Sequence, residues 1–255
     1  MSLARELRDN GALLLANLGR FTLFSGRLVA RVPSALRHPR LIVNQVYNTG
    51  ALSLVIIMLS GLFVGMVLAL TGVDLLQRFG SEEEVGAVAA VALVKELGPV
   101  VTALLFAGPA GTAVTSEIGL MKATDQLAAL QMMAVDPMER ICAPRLLGGV
   151  IAMPLLAAIF SVVGLVGAYL IAVRVLHVDP GQFWSELKDA MRSRYVREGI
   201  WKSCAFGVAC SAIAVYQGYV AQATPEGVGR ATTRTVVTSS VAVLVLDYIV
   251  TAVLL

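Results

Sequence analysis

The stretch GPAGTAVTSEIGLMKATDQLAALQMMAVDPMERICAP, residues 108–144, is the one long polar passage between two strongly apolar segments. Although it carries several charges, its apolar residues keep helical spacing; they are Ile118, Met121, Leu127, Leu130 and Met133. A short amphipathic helix between two membrane spans is usually a docking element or an interfacial helix. We interpret this stretch as the segment to which a partner outside the membrane binds, and through which that partner moves the protein.

The chain is far more apolar than a soluble protein of its length. Of its 255 residues, 57% are hydrophobic and 15% are charged, whereas soluble domains have about 45–50% apolar and about 25% charged residues. This composition predicts an integral membrane protein. The net charge of +3 lies mainly in the N-terminal segment. An excess of positive charge in such a segment indicates on which side of the membrane it lies. Because no nucleic-acid-reading motif is present, we expect no nucleic-acid partner.

Residues 1–40 form a basic segment in which seven arginines alternate with apolar residues. No uninterrupted apolar run there reaches the about 20 residues that a span needs, and no signal-peptide pattern is present. We therefore expect an amphipathic membrane-interface segment on an anionic leaflet. Pro33 and Pro39 are expected to break the chain before a single five-span transmembrane domain, residues 41–255.

Five apolar runs are expected to cross the membrane. They are Leu41–Val73, Val85–Ala113, Leu146–Val173, Ser203–Pro225 and about Ala231–Leu255. The predicted fold is thus an all-α integral membrane protein with an N-terminal interfacial helix, five transmembrane helices and a cytoplasmic helix between the second and third spans. The polar residues 174–200 are expected to include a further amphipathic helix at the membrane interface.

Two glycines in the first apolar run, Gly61 and Gly65, form a GxxxG pair. Such a pair permits close packing of two helices. Glycine is also frequent in membrane helices in general. The sequence leaves both interpretations open.

The distribution of lysine and arginine predicts the orientation. With the N-terminus in the cytoplasm, the inner segments hold twelve Lys and Arg residues and the outer segments hold six. The positive-inside rule therefore favours a cytoplasmic N-terminus and places residues 114–145 in the cytoplasm. The second outer segment, 174–199, weakens this contrast because it holds five of those six residues.

Four charged residues, Lys95, Glu96, Lys202 and Asp247, lie within or at the edge of apolar runs. A charge at the bilayer centre costs about 2.5–3.5 kcal/mol on insertion scales, so such residues usually face a cavity or each other. Counting helix rise, we expect Lys202 near the outer end of the fourth span, within reach of Glu96, in a pair that Asp247 can share. The cluster either lines or gates a translocation path, or it is an internal ion pair that only fixes helix packing.

Arg230 and Arg234, four residues apart at the inner end of the fifth span, share one helical face. They can contact a lipid phosphate or the polar connection, or they can serve as ordinary positive-inside anchors.

Common enzyme motifs are missing from the sequence. It has no GxxxxGKS or GxxxxGKT phosphate-binding loop, no GxSxG and no HExxH. The three cysteines, Cys142, Cys204 and Cys210, form no CxxC pair and are expected to be small buried hydrophobes. We therefore expect no enzyme, no metal site and no cofactor in this chain.

Several blocks of the sequence resemble the permease subunits of Mla-type ABC transporters, which are associated with MCE-domain proteins. The blocks are NQVYNTGALSLVIIMLSGLFVGMVLAL from residue 44, KELGPVVTALLFAG from residue 95, TSEIGLMKATDQLAALQMMAVDP from residue 115, APRLLGGV from residue 143 and VGRATTRTVVTSSVAVLVLD from residue 228. They cover most of residues 41–255 in the same order and spacing as in that family.

The resemblance implies an inner-membrane permease of a Gram-negative lipid transporter, which moves glycerophospholipids between the inner and outer membranes and maintains outer-membrane lipid asymmetry. It implies a homodimer that works with a cytoplasmic ABC ATPase dimer, which hydrolyses the ATP, and with a periplasmic ring of MCE-domain subunits. The stretch 117–130 would be the coupling helix that docks into the ATPase. The coupling residues implied are Glu117, Gly119, Met121, Lys122, Asp125 and Leu127, and the cluster of Lys95, Glu96, Lys202 and Asp247 would lie near the lipid cavity.

The chain departs from the family pattern at two positions. Where the family often has an arginine in an AGRxG segment, this chain has Pro109, and a kink there would alter the link to the coupling helix. Where the family often has glutamate in a TEQ triplet, this chain has Asp125, which keeps the charge with a shorter reach.

Two other classes of function remain open at this point. An ion-coupled secondary transporter would use Glu96 and Asp247 as a relay, although the sequence shows no internal repeat. A non-transporting membrane scaffold would tolerate replacement of the intramembrane charges.

Overall fold

The computed structural model describes the backbone of residues 2–81 and 84–254, and the side chains of residues 16, 19–51, 53–81 and 84–253. The described residues form helices joined by short turns, with no strand among them. The all-α fold predicted from the sequence is confirmed.

Among the described residues, five helices are long and apolar enough to cross a membrane. They are the first span Pro39–Gln77, the second span Val85–Ala123, the third span Met138–Val175, the fourth span Ser193–Val220 and the fifth span Pro225–Leu254. Further helices lie outside them: the N-terminal helix Ser2–Ala35, the connecting helix Gln126–Met132 and the interface helix Pro180–Ala190.

The second span ends at Ala123 rather than at Ala113, and the third begins at Met138 rather than at Leu146. The bounds of the fourth span also differ from the prediction. The helix begins at Ser193 rather than Ser203, because two charges in its first turns are neutralised within the protein. Arg194 Nε lies 2.6 Å from Glu198 Oε1, and Glu198 is buried. The fifth span begins at Pro225, earlier than expected, and its predicted last residue, Leu255, lies outside the described residues.

The first and third spans pack closely along a glycine seam. A Cβ atom added to Gly65 would lie 1.9 Å from the carbonyl oxygen of Gly164, and one added to Gly61 would lie 2.8 Å from that of Phe160. No real side chain tolerates such distances, so both positions require glycine in this packing. The close-packing interpretation of the GxxxG pair is confirmed.

The second and third spans are interrupted by wider, π-helical turns. In the second span these are Ala92–Leu97 and Ala107–Gly111, and the latter includes Pro109. The helix continues through Pro109 to Ala123, with Pro109 inside one of the wider turns, and the effect of Pro109 on the link to the coupling helix stays a prediction. Pro154 lies inside the third span.

The N-terminal helix packs on the bundle through its second half. Phe24 and Leu28 are buried, and the ring of Phe24 lies 5.3 Å from that of Tyr216. The helix continues past Pro33 to Ala35, and the chain breaks just before Pro39, at the first turn of the next helix. The side chains of residues 1–15, on which part of the predicted amphipathic pattern rests, lie outside those described.

The connections alternate between the two ends of the bundle. The connecting helix and the N-terminal helix lie at one end, because Arg31 Nε is 3.1 Å from Asp136 Oδ2. The interface helix lies at the other end, where Phe183 packs against Gly86 at the start of the second span. We refer to these as the connecting end and the interface-helix end.

Candidate functional site

A cluster of charged side chains lies where the second, fourth and fifth spans meet. Lys202 is 0% exposed and donates a hydrogen bond from Nζ to Glu96 Oε2. Its Nζ also lies 3.4 Å from Asp247 Oδ1. The predicted Glu96–Lys202 pair, shared by Asp247, is therefore confirmed. We call these three residues the charge cluster.

The fourth predicted residue, Lys95, has a different partner. Its Nζ lies 3.7 Å from Glu198 Oε2 and 5.6 Å from the ring centre of Tyr195. Arg194 pairs with the other oxygen of Glu198. Sequence reasoning missed Glu198 because it placed residues 174–200 outside the membrane. The signal that could have found it is its spacing of four residues from Lys202, which puts both on one helical face.

Local backbone geometry sets the directions of Lys95 and Glu96. Both lie in the π-helical turn Ala92–Leu97, and both reach the fourth span. Ser161 of the third span donates a hydrogen bond of 3.1 Å to the carbonyl oxygen of Leu93 and thereby fastens this turn. Such turns are frequent at functional sites.

Lys202 lies deeper in its helix than the sequence indicated. Because the fourth span begins at Ser193, Lys202 is about 14 Å along it, not near its end. An ammonium buried at this depth costs several kcal/mol unless it is paired. The carboxylates of Glu96 and Asp247 provide that pairing.

The two carboxylates of the charge cluster are more accessible than the lysine. Their side chains are 37% exposed for Glu96 and 27% for Asp247. Oδ1 of Asp247 is buried without a hydrogen-bond partner among the described residues, although Nζ of Lys202 is near. This oxygen lies on the buried side of the cluster, whereas the exposed parts of the Glu96 and Asp247 side chains form an open side where a polar ligand group can bind.

The predicted coupling residues face mostly inward. Met121 and Leu127 pack into the apolar core at the connecting end. A Cβ atom on Gly119 would lie 3.0 Å from Val228, and Lys122 Nζ donates a 2.8 Å hydrogen bond to the carbonyl oxygen of Tyr219. Glu117, which pairs with Arg145 at 2.9 Å, and Asp125 are exposed.

The predicted single helix 117–130 is in fact two helices. The second span ends at Ala123, and the connecting helix begins at Gln126. Asp125 between them has φ +56°, a left-handed conformation that aspartate tolerates better than most residues. The helical spacing of the apolar residues continues across this break, so the sequence pattern did not reveal the break.

The outward side of this region carries exposed apolar residues that are not among the predicted coupling residues. Leu120 is 60% exposed, Met132 87% and Met133 66%. They lie at the last turns of the second span and at the end of the connecting helix. We call these three residues the exposed apolar face.

The N-terminal helix is fastened to the loop after the connecting helix. The Ser34 hydroxyl donates a hydrogen bond to Glu139 Oε1, and Arg31 pairs with Asp136. These contacts join the N-terminal helix to the loop before the third span, at Asp136, and to the first turn of the third span, at Glu139.

Arg230 and Arg234 line a separate polar cavity of about 250 Å³ at the connecting end, together with Gln217 and Gln222. Arg230 lies 3.8 Å from Glu226, and both side chains are largely exposed. An anionic group can enter this cavity.

Comparisons with known proteins place the chain among transport proteins. Residues 42–253 match the sequence profile of the family described as Permease MlaE. The chain is 49% identical over 240 residues to the intermembrane phospholipid transport system permease protein MlaE of Haemophilus influenzae, covering 93% of this chain and 91% of that protein. It is 32% identical over 254 residues to a probable ABC transporter permease protein of Rickettsia bellii, covering 98% and 97%. It is 29% identical over 230 residues to the chloroplastic protein TRIGALACTOSYLDIACYLGLYCEROL 1 of Arabidopsis thaliana, covering 90% and 66%.

Proposed function

Since this chain belongs to the MlaE permease family, we propose that it is the transmembrane permease subunit of an ABC transporter for glycerophospholipids. The transporter moves them between the inner and outer membranes and so maintains outer-membrane lipid asymmetry. The observation that carries this proposal is the near full-length similarity to the intermembrane phospholipid transport permease of Haemophilus influenzae. Five apolar spans and a partly open charge cluster fit a lipid with two apolar tails and a charged headgroup.

The energy for transport comes from another subunit. This sequence contains no phosphate-binding loop, so ATP is bound and hydrolysed by a cytoplasmic ABC ATPase dimer. A second copy of the permease and a periplasmic ring of MCE-domain subunits complete the assembly. The N-terminus lies in the cytoplasm of this multi-pass inner-membrane protein, as the twelve inner and six outer Lys and Arg residues favour.

The ATPase docks on the exposed apolar face of Leu120, Met132 and Met133, with Asp125 and Glu117 at its edge. Exposed methionine and leucine outside a membrane mark a protein contact surface. The inward coupling residues Gly119, Met121, Lys122 and Leu127 transmit the motion, because they join this face to the ends of the spans.

The charge cluster contacts the lipid headgroup. The open side of Glu96 and Asp247 accepts an ammonium or hydroxyl group of the headgroup. The buried Lys202 holds these two carboxylates in position, and the partly exposed Lys95 attracts the phosphate. At the opposite membrane face, Arg230 and Arg234 bind a lipid headgroup or anchor the fifth span. An ion-coupled secondary transporter is not favoured, because the family is one of ABC transporter permeases.

The direct test is purification of the tagged protein from its native membrane in detergent. We expect a nucleotide-hydrolysing subunit and bound phospholipid to co-purify, and lipid transfer by the reconstituted complex to require ATP. Transfer that proceeds without any ATPase and follows a pH gradient would contradict the proposal.

A further inference from the structure

A cavity of about 220 Å³ lies between the second, third and fourth spans, beside the charge cluster but separate from it. Val94 and Pro99 of the second span, Pro154 and Ala157 of the third, and Gly199 and Ser203 of the fourth line it. Val94, Gly199 and Ser203 are each one residue away from Lys95, Glu198 and Lys202, so the cavity and the charges occupy neighbouring faces of the same helices.

The lining of the cavity leaves water few hydrogen-bond partners. Ser161 Oγ donates hydrogen bonds to the carbonyl oxygens of Leu93 at 3.1 Å and Ala157 at 3.0 Å. Ser203 Oγ donates to the carbonyl oxygen of Ile200 at 2.8 Å. Both hydroxyl groups are thus occupied by backbone, and the other lining side chains are apolar. A cavity of this kind favours an apolar occupant over water.

Irregular backbone on two helices surrounds this space. The π-helical turn Ala92–Leu97 precedes Pro99 in the second span, and Pro154 interrupts the third. Proline and π turns bend helices. On the fourth span, Gly199 lets the backbone of the second span approach closely, because a Cβ there would lie 2.5 Å from the carbonyl oxygen of Val94.

The cavity opens sideways, toward the surface that faces the bilayer. Ala157 on its floor is 6% exposed, whereas Val162 and Ile200 at its rim are 62% and 51% exposed. A lipid chain can therefore enter from the membrane without passing through the charge cluster.

Arginines flank the cavity at the interface-helix end. Residues 191–197 contain three arginines and no acidic residue. Arg192 and Arg197 are exposed neighbours of the lining residues Met191 and Val196. In the part of the chain that the structure describes, neither has a carboxylate within ion-pair distance. In the proposed orientation this end is outside, so the positive-inside rule does not account for these charges.

We propose that this cavity is a second lipid site, which holds one acyl chain of a phospholipid from the outer leaflet of the inner membrane. The phosphate of that lipid is bound by Arg192 and Arg197, since guanidinium groups bind phosphate in a bidentate manner. The inference rests on the proposed function for its orientation and substrate. It adds a lateral position where a lipid is held next to, but not within, the path lined by the charge cluster.

The test uses the full-length protein with its co-purifying subunits in nanodiscs that contain phosphatidylglycerol with a photoreactive diazirine in one acyl chain. After irradiation, labelled peptides are identified by mass spectrometry. We expect labels on peptides that contain residues 94–99, 157–165 and 199–203.

A bulky substitution at the rim of the cavity is compared with the same substitution one helical turn away. Val162→Trp should lower labelling of the cavity by about tenfold or more, the change that about 1.4 kcal/mol of binding free energy produces. Val166→Trp should leave it unchanged, because Val166 is similarly exposed but does not line the cavity. Ala158→Phe, a second rim substitution, should repeat the effect of Val162→Trp.

Substitution of the two arginines tests whether they bind the headgroup phosphate. Arg192→Gln and Arg197→Gln should each lower labelling about fivefold, as expected for about 1 kcal/mol per surface cation, whereas Lys188→Gln on the exposed side of the interface helix should not. Unchanged labelling in both arginine variants would overturn the phosphate assignment.

The proposed site and the proposed function can fail separately. The second site is wrong if the wild-type cavity is unlabelled, or if Val162→Trp and Val166→Trp change the labelling of the cavity equally. Either result would stand even when the complex still moves phospholipid with ATP. If the complex moves no phospholipid, the proposed function fails, and cavity labelling still reports whether a lipid chain binds there.

Discussion

Lys202 lies where solvent does not reach it. Its position is stable because Glu96 and Asp247 lie on two other helices and provide opposite charge. Removing the lysine leaves two carboxylates close together without a cation. Breaking a buried pair in this way costs about 3–5 kcal/mol, and the lower end applies because both carboxylates are partly exposed.

The first prediction separates a structural role of the charge cluster from a role in transport. Single replacement of Lys202 by alanine should lower the amount of folded protein in the membrane. A neutral triple variant, Glu96→Gln, Lys202→Met and Asp247→Asn, should restore it, since an ion pair replaced by neutral groups is often as stable. ATP-dependent lipid transfer by the triple variant should nevertheless fall at least about tenfold, because the charge cluster itself carries no charge to contact the headgroup.

The control for that experiment is the amount of protein measured in membranes and after size-exclusion chromatography. Wild-type transfer by the triple variant would show that the charges only fix helix packing. Normal transfer with normal protein levels in the single alanine variants of Glu96, Lys202 and Asp247 would contradict both the role in transport and the role in packing.

The packing of the first span on the third gives a second prediction. Gly65→Ala should destabilise the protein by about 1–3 kcal/mol or more, because the new methyl group would overlap the backbone of Gly164. Gly50→Ala in the same helix meets no atom within 4 Å and should be neutral or slightly stabilising. Thermal unfolding in detergent compares the two variants, and equal effects would contradict the close packing.

The N-terminal helix gives a third prediction. Phe24→Ala should cost about 3–5 kcal/mol, because the ring is buried against Tyr216 and Tyr219. The adjacent Leu23 is 67% exposed, and Leu23→Ala should leave stability within about 0.5 kcal/mol. Limited proteolysis at the arginines of this helix reports its release, and equal cleavage of both variants would show that the helix is not held by its aromatic face.

The connecting helix gives a fourth prediction, on coupling. Met132→Glu with Met133→Glu should abolish co-purification of the ATPase and leave the folded permease at normal levels, because both side chains are exposed. Leu127→Glu should instead lower the amount of permease, because it places a charge in the core. As a control, Phe79→Glu at the opposite end should leave ATPase binding intact. An ATPase retained by the methionine variant would show that docking occurs elsewhere.

Individual elements differ in how well the sequence predicts them. The apolar spans follow from the local run of hydrophobic residues. The Glu96–Lys202–Asp247 contact follows from the high cost of an unpaired charge in a membrane. The start of the fourth span did not follow, because Glu198 and Arg194 resemble a loop until their partners are known. The break at Asp125 and the contact of Ser34 with Glu139 depend on tertiary packing that no periodicity encodes.

The described residues form a five-span bundle, and the proposed function depends on which end of this bundle lies in the cytoplasm. The connecting helix, the N-terminal helix and the cavity of Arg230 and Arg234 share one end. The charge cluster and the arginine-flanked cavity lie toward the other. In our account, ATP hydrolysis acts on the first end and lipid is handled at the second.

Labelling of single introduced cysteines tests this account most directly. The measurement uses a membrane-impermeant thiol reagent on sealed right-side-out and inside-out vesicles. Cys142 and Cys210 are buried as predicted, but Cys204 is partly exposed, so the wild-type protein serves as the blank for its reaction. The exposed positions Asp125→Cys and Ser185→Cys report the two ends. We predict that the cysteine at 125 reacts only in inside-out vesicles and the one at 185 only in right-side-out vesicles. The reverse pattern would place the coupling surface outside the cell membrane, away from any ATPase, and contradict the account.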